Sequence, residues 1–140
     1  MPRIYRAMSE QGGKPMVGPS ARSLGVRVPP LPTYDIPMEA NGTVRPGTGG
    51  MSVAPTWREL PPHRIPMRLR ALAQDACGND ADACWRMGEG PFEHAQVTPA
   101  LNLRPDSPRH GLVEPAVVVS VAEYQADLAA TRDQWVVDER

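Results

Sequence analysis

The chain reads as an α+β domain because strand-like and helix-like patterns alternate irregularly, the loops between them are rich in proline and glycine, and the apolar content supports one modest core. Of 140 residues, 41% are hydrophobic, which suits a single domain over residues 1–140 and leaves no room for a second. The 17 prolines and 12 glycines make up roughly a fifth of the chain, just under the level of a disordered low-complexity sequence. Short elements joined by long loops follow.

Residues 3–8 alternate as a first strand, and residues 12–19, Gly-Gly-Lys-Pro-Met-Val-Gly-Pro, read as an irregular loop. Residues 29–37 are too broken by proline for a central strand and are expected to wrap the surface as an extended lid or arm. A second strand begins near Gly50. From Pro61 and Pro62 the pattern predicts a helix with Pro66 in its first turn, Gly78 as terminator, and an apolar face of Ile65, Leu69, Leu72, Ala73 and Ala76. A short helical turn over residues 81–87 and strands over 95–103 and 111–119 come next. The last helix is the best marked, since Ser120 and Glu123 form a capping box and Val121, Tyr124, Leu128 and Trp135 recur on one face.

Several function classes are disfavoured. No stretch approaches the roughly 20 apolar residues of a membrane span, and the opening Met-Pro-Arg-Ile-Tyr-Arg lacks the apolar core of a signal peptide. The chain reads as a non-membrane protein, and export would need a route without a cleaved signal. A net charge of −1 and a single Phe leave no basic tract interleaved with stacking aromatics, so nucleic-acid binding is not expected. Residues 1–72 carry ten Arg or Lys against four Asp or Glu, and residues 73–140 carry five against twelve. That asymmetry suits an anionic ligand on the basic half, or attraction between the halves within one fold. Cys77 and Cys84 stand six residues apart with His63, His94 and His110 scattered, which is not zinc spacing. They read as free thiols, with a local disulfide as the oxidising-compartment alternative.

The most informative run is Arg45-Pro46-Gly47-Thr48-Gly49-Gly50-Met51-Ser52-Val53, where glycines permit close backbone approach and a serine follows directly into a strand. A glycine pair alone is a weak signal, as consistent with an ordinary hairpin as with a ligand turn. With Ile4-Tyr5-Arg6-Ala7 at the start, and His110 followed by Leu112-Val113-Glu114-Pro115 near the end, the order of motifs resembles the small NAD-dependent bacterial toxins of the Tse2 type. Tyr124, Leu128, Arg132 and Trp135 fit the spacing of that family's closing helix, whereas Met51 stands where its pattern has threonine. The resemblance does not extend over residues 54–108.

The resemblance implies a single ADP-ribosyltransferase-like domain, its short antiparallel strands arranged as a split sandwich with a few flanking helices. It implies NAD as substrate, an ADP-ribose acceptor in a bacterial cytoplasm, a cognate immunity protein or antitoxin as partner, and delivery by a signal-peptide-independent secretion system. Arg6, Ser52 and His110 would be catalytic: Arg6 gripping phosphate or ribose oxygens, Ser52 holding the ribose, and His110 bonding a ribose hydroxyl or taking the acceptor's proton. Thr48, Gly49, Gly50, Tyr5 and Glu114 would surround the nucleotide, Glu114 as a substitute for the glutamate on which such enzymes depend. Period-two alternation turns Tyr5 away from Arg6 toward the core. Glu59 and His63, in Trp57-Arg58-Glu59-Leu60-Pro61-Pro62-His63-Arg64, form a further polar cluster that reads as a helix-entry loop or a cover over the nucleotide. The alternative function is a non-catalytic, proline-rich binding or structural module, with the Val117–Val119 run and the 29–37 arm as assembly surfaces.

Overall fold

The computed structural model describes residues 1–140 as an α+β arrangement of mostly antiparallel strands with one α-helix. In chain order the elements are β1 (Ile4–Gln11), β2 (Lys14–Pro15), β3 (Thr43–Val44), β4 (Met51–Val53), β5 (Asp82–Met87), β6 (Ala95–Thr98), β7 (Leu101–Ser107), β8 (His110–Pro115), β9 (Val119–Ser120), α1 (Val121–Ala129) and β10 (Val136–Val137). One four-stranded sheet runs β10-β5-β1-β2, a second runs β4-β8-β7-β6, and β3 pairs with β9. No helix is long and apolar enough to cross a membrane.

β1 is buried on both faces, and its alternation divides the molecule. Ile4 and Met8 join Trp85 and Met87 of β5, Met51 and Val53 of β4, Leu101 and Leu103 of β7, and Tyr124 and Leu128 of α1 in the main core between the sheets. Tyr5 and Ala7 point the other way, into a second cluster with Cys84, Ala54, Trp57, Leu60, Ile65 and Ala76. The two sheets meet at one bridge, where Tyr5 N–H donates to the Ala54 carbonyl at 2.8 Å and Ala54 N–H returns the bond at 3.0 Å. Apart from this bridge β1 pairs with β5 along its other edge and β4 with β8, so the two sheets share no further backbone pairing and part from there.

Four local expectations are corrected. Gly12 and Gly13, at φ 64° and 80°, make the two-residue turn of the β1–β2 hairpin, a conformation that glycine pairs favour, so residues 12–19 do not form a wholly irregular loop. Residues 61–78 form no α-helix. Cys77 N–H bonds the Pro62 carbonyl and Gly78 N–H the Ile65 carbonyl, closing the segment into a loop that carries only a 3-10 turn at Met67–Leu69. Gly78 permits this closure, since a Cβ there would lie 2.7 Å from the Ile65 carbonyl oxygen. Residues 82–87 are a strand rather than a helical turn: Trp85 and Met87 alternate with Asp82, Cys84 and Arg86, and burial against β1 stabilises the period-two pattern. Residues 95–103 fold back at Pro99 and Ala100 as two strands, β6 and β7.

Other expectations hold. Residues 29–37 lie on the surface without regular structure apart from buried Ile36. Ser120 caps α1 by accepting the Glu123 N–H at 3.1 Å. Tyr124 and Leu128 are buried on one face, but Trp135 reaches the core from beyond the helix end. Cys77 and Cys84 are free thiols, one exposed and one buried.

The chain's C-terminal strand is fastened by Asp138, whose carboxylate accepts from the Tyr5 hydroxyl at 2.9 Å, Arg86 Nε at 2.8 Å and Arg140 Nε at 3.3 Å. Burial alone would raise this carboxyl, but the bonds from Arg140, Tyr5 and Arg86 outweigh it and bring it down to about 2. A folded value below the ordinary one of about 3.9 gives stability that is complete above about pH 4 and is lost as pH falls toward about 2. Asp138→Asn is therefore expected to be less stable than wild type in urea at pH 7, with the gap narrowing below pH 4; a constant gap would contradict the assignment.

Candidate functional site

The divergence of β1 and β4 opens a cavity of about 220 Å³ whose walls include Arg6, Ala7, Ser52, Ala54, Glu59 and His110. Arg27, Asp35, His63 and Arg64 complete its polar lining. Residues 58–62, with His110, also border an adjoining groove of about 490 Å³. Three side chains picked from separate sequence motifs, Arg6, Ser52 and His110, thus share one cavity.

Their roles differ from each other. Arg6 projects from β1 into the interior with its guanidinium committed: Nε donates to the Ser23 carbonyl at 3.1 Å, Nη1 to Ser52 at 2.8 Å, and Nη2 to Ser20 at 3.3 Å and Gly25 at 3.4 Å. Burial lowers it to about 10, so it stays charged at neutral pH. It has no carboxylate partner. Four of its five N–H donors serve as a clamp joining β1 to β4 and to the 20–25 segment, which corrects the expectation of a nucleotide-gripping arginine.

Ser52 sits mid-strand in β4 between Met51 and Val53, which face the core. The pleat therefore turns its hydroxyl out of the core, and that hydroxyl makes no bond within the protein. Pairing Ser52 with Leu112 and Val53 with Gly111 sets Ser52 and His110 on one face of the sheet. His110 follows the tight β7–β8 turn, where Nδ1 meets the Asp106 carboxylate at 2.7 Å. With the carboxylate accepting from Nδ1–H, Nε2 is left as the free, proton-accepting nitrogen. Asp106 carries no sequence signal; only the bulged hairpin brings it beside His110.

The expected nucleotide-binding set lies elsewhere. The Tyr5 hydroxyl is spent on Asp138 on the far face of β1, as its alternation with Arg6 foretells. Thr48 is exposed and bonds the Arg45 carbonyl at 2.9 Å. Gly49 and Gly50 are glycines because backbone packs on them: a Cβ on Gly49 would overlap the Asp35 carbonyl, and one on Gly50 would lie 2.6 Å from the Val113 carbonyl oxygen. Glu114 is buried, accepting from Gly47 N–H at 2.7 Å and Arg104 Nε at 3.0 Å, so it fixes the glycine turn from beneath. None of the five lines the cavity.

The cavity's carboxylates are Asp35 and Glu59. Asp35 is held by Arg27 at 2.8 Å and by Arg27 N–H at 2.7 Å. Glu59 is looser, its nearest cation being Arg109 at 3.7 Å, and it borders both cavities. Cys84 is no nucleophile, since burial pushes its thiol up to about 12. Compared with known proteins, the chain matches no family model and no curated relative.

If Arg6 is a clamp, Arg6→Met should cost about 3 kcal/mol or more in urea unfolding, because it strands buried carbonyls. Ser52→Ala and His110→Ala should stay within about 0.5 kcal/mol of wild type. Equal destabilisation by all three would refute this division of roles.

Proposed function

We propose that the chain is an NAD-consuming, ADP-ribosyltransferase-like bacterial toxin with the β1–β4 cavity as its active site. What supports this most is the convergence of Ser52 and His110, two motif residues with unspent hydrogen-bonding atoms, on one cavity that the Arg6 clamp frames. Two antiparallel sheets diverging from the Tyr5–Ala54 bridge also suit the split sandwich of that fold. The cavity falls below the usual range for a whole small-molecule site, roughly 300–1,000 Å³. It therefore takes one half of a dinucleotide, with the adjoining groove available to the other.

In this reading the bond between ribose C1′ and the nicotinamide nitrogen breaks, the electron pair leaves with nicotinamide, and a nucleophilic atom of the acceptor bonds C1′. The protein's contribution is positioning and charge. The free Ser52 hydroxyl holds a ribose hydroxyl, and His110 Nε2, oriented through Asp106, takes the acceptor's proton. The carboxylate near the developing positive charge is Glu59, since Glu114 is committed to Gly47 and Arg104. Such an activity calls for a cognate immunity protein or antitoxin in the producing cell.

The test is expression from a tightly repressed promoter in a bacterial host, following growth and intracellular NAD. Wild type should arrest growth and deplete NAD, and Glu59→Gln and His110→Ala should each cut NAD consumption by about 10²-fold at equal protein level. A harmless wild type, or variants as toxic as wild type, would overturn the proposal. A binding module would then be favoured, with Val117 and Val118, 63% and 55% exposed, as its surface.

A further inference from the structure

Carboxylates or backbone carbonyls hold eleven of the arginines, and Arg58 stacks over Trp57. Arg3 and Arg64 remain. Arg3 lies in solvent, where a lone cation is ordinary. Arg64 is half-buried in the cavity wall, and its guanidinium makes no hydrogen bond or ion pair. Burial, then the neighbouring Arg27 guanidinium, push it down from its ordinary value, against a weaker upward pull from Asp35 and Asp82. Arginine does not escape that penalty by releasing its proton.

The surrounding charges do not supply a partner. Asp35 is engaged by Nε and Nη2 of Arg27, leaving Arg27 Nη1 free. Glu59 lies with Arg109, and Arg6 adds a further positive charge that no carboxylate contacts. The wall therefore holds three guanidinium groups against two carboxylates, with unspent N–H donors on Arg64 and Arg27. Guanidinium forks match the oxygens of phosphate in geometry and charge.

We propose that Arg64, with Arg27 as second donor, forms an oxyanion site for the phosphate of a phosphate-ester or anhydride ligand entering this cavity. The inference rests on the cavity being a ligand site, as proposed above, but not on the ligand being NAD. It transfers to the 57–64 loop the phosphate-binding role that the sequence suggests for Arg6.

Calorimetric titration of the whole chain with inorganic pyrophosphate, and separately with NAD, at fixed ionic strength tests it. Arg64→Gln should weaken pyrophosphate binding by on the order of 10- to 100-fold, Arg64→Lys should recover part of it, and Arg3→Gln should leave it unchanged. Arg64→Gln loses no internal partner, so its urea midpoint should match wild type, separating lost binding from lost folding. Pyrophosphate bound equally by wild type and Arg64→Gln, or by neither, would overturn the site. Arg64-dependent pyrophosphate binding without NAD binding would support the anion site and sink the NAD reading. NAD binding insensitive to Arg64→Gln would do the reverse.

Discussion

The buried guanidinium of Arg6 is the contact on which the arrangement of the site depends. It spans from β1 to the carbonyls of Ser20, Ser23, Gly25 and Ser52, tying a strand of one sheet to a strand of the other and to the loop between β2 and β3. A buried cation without a carboxylate is tolerated only where oriented dipoles replace its hydration. The four carbonyls provide that replacement and thereby fix where the chain must pass. β4 is only three residues long, so the Arg6 bond to Ser52 and the Tyr124 hydroxyl that accepts from Met51 N–H are what hold Ser52 at the cavity rim.

From that clamp the chemistry follows by division of labour. The sheets share one bridge and then part, leaving a gap that the 57–64 loop roofs with Glu59, His63 and Arg64. Groups already spent on structure, Arg6, Glu114, Tyr5 and Thr48, set the frame. Groups with unspent hydrogen-bonding capacity, Ser52, His110 Nε2, Arg64 and the loosely held Glu59, face the opening. Buried polar groups are ordinarily satisfied, and here no buried side-chain nitrogen or oxygen lacks a partner; the free groups lining the cavity are partly exposed, where a ligand can reach them. The charge asymmetry along the sequence resolves both ways: Arg22–Asp82 and Arg68–Glu139 join the two halves at 2.8 Å, while Arg64 stays unpaired.

Much of this was legible in the sequence where local chemistry decides the outcome. The Ser120 cap and the alternation of β1 depend on neighbours in the chain, and their patterns survive folding. The 61–78 segment was not legible as a loop, because its apolar spacing is helical while the backbone pairing of Cys77 and Gly78 with Pro62 and Ile65 is tertiary. β5 was hidden for the opposite reason: its Ala and Met residues favour helix, and pairing along β1 overrides them. Within the site, Ser52 and His110 could be picked out by motif, but Asp106, Asp35 and Arg64 could not, since their significance lies in which charges remain unpaired after folding. The glycine pair, expected at the nucleotide, lines no part of the cavity; backbone packing against Asp35 and Val113 is what requires glycine there.

The most direct measurement is a titration of isotopically labelled protein with NAD, followed through backbone amide chemical shifts. Perturbations centred on Ser52, Ala54, Glu59, Arg64 and His110, with the amides of Gly47 and Glu114 unmoved, are expected if the cavity between the diverging strands is the substrate site. Perturbations centred instead on the Gly47–Gly50 turn, or none at millimolar NAD, would contradict it.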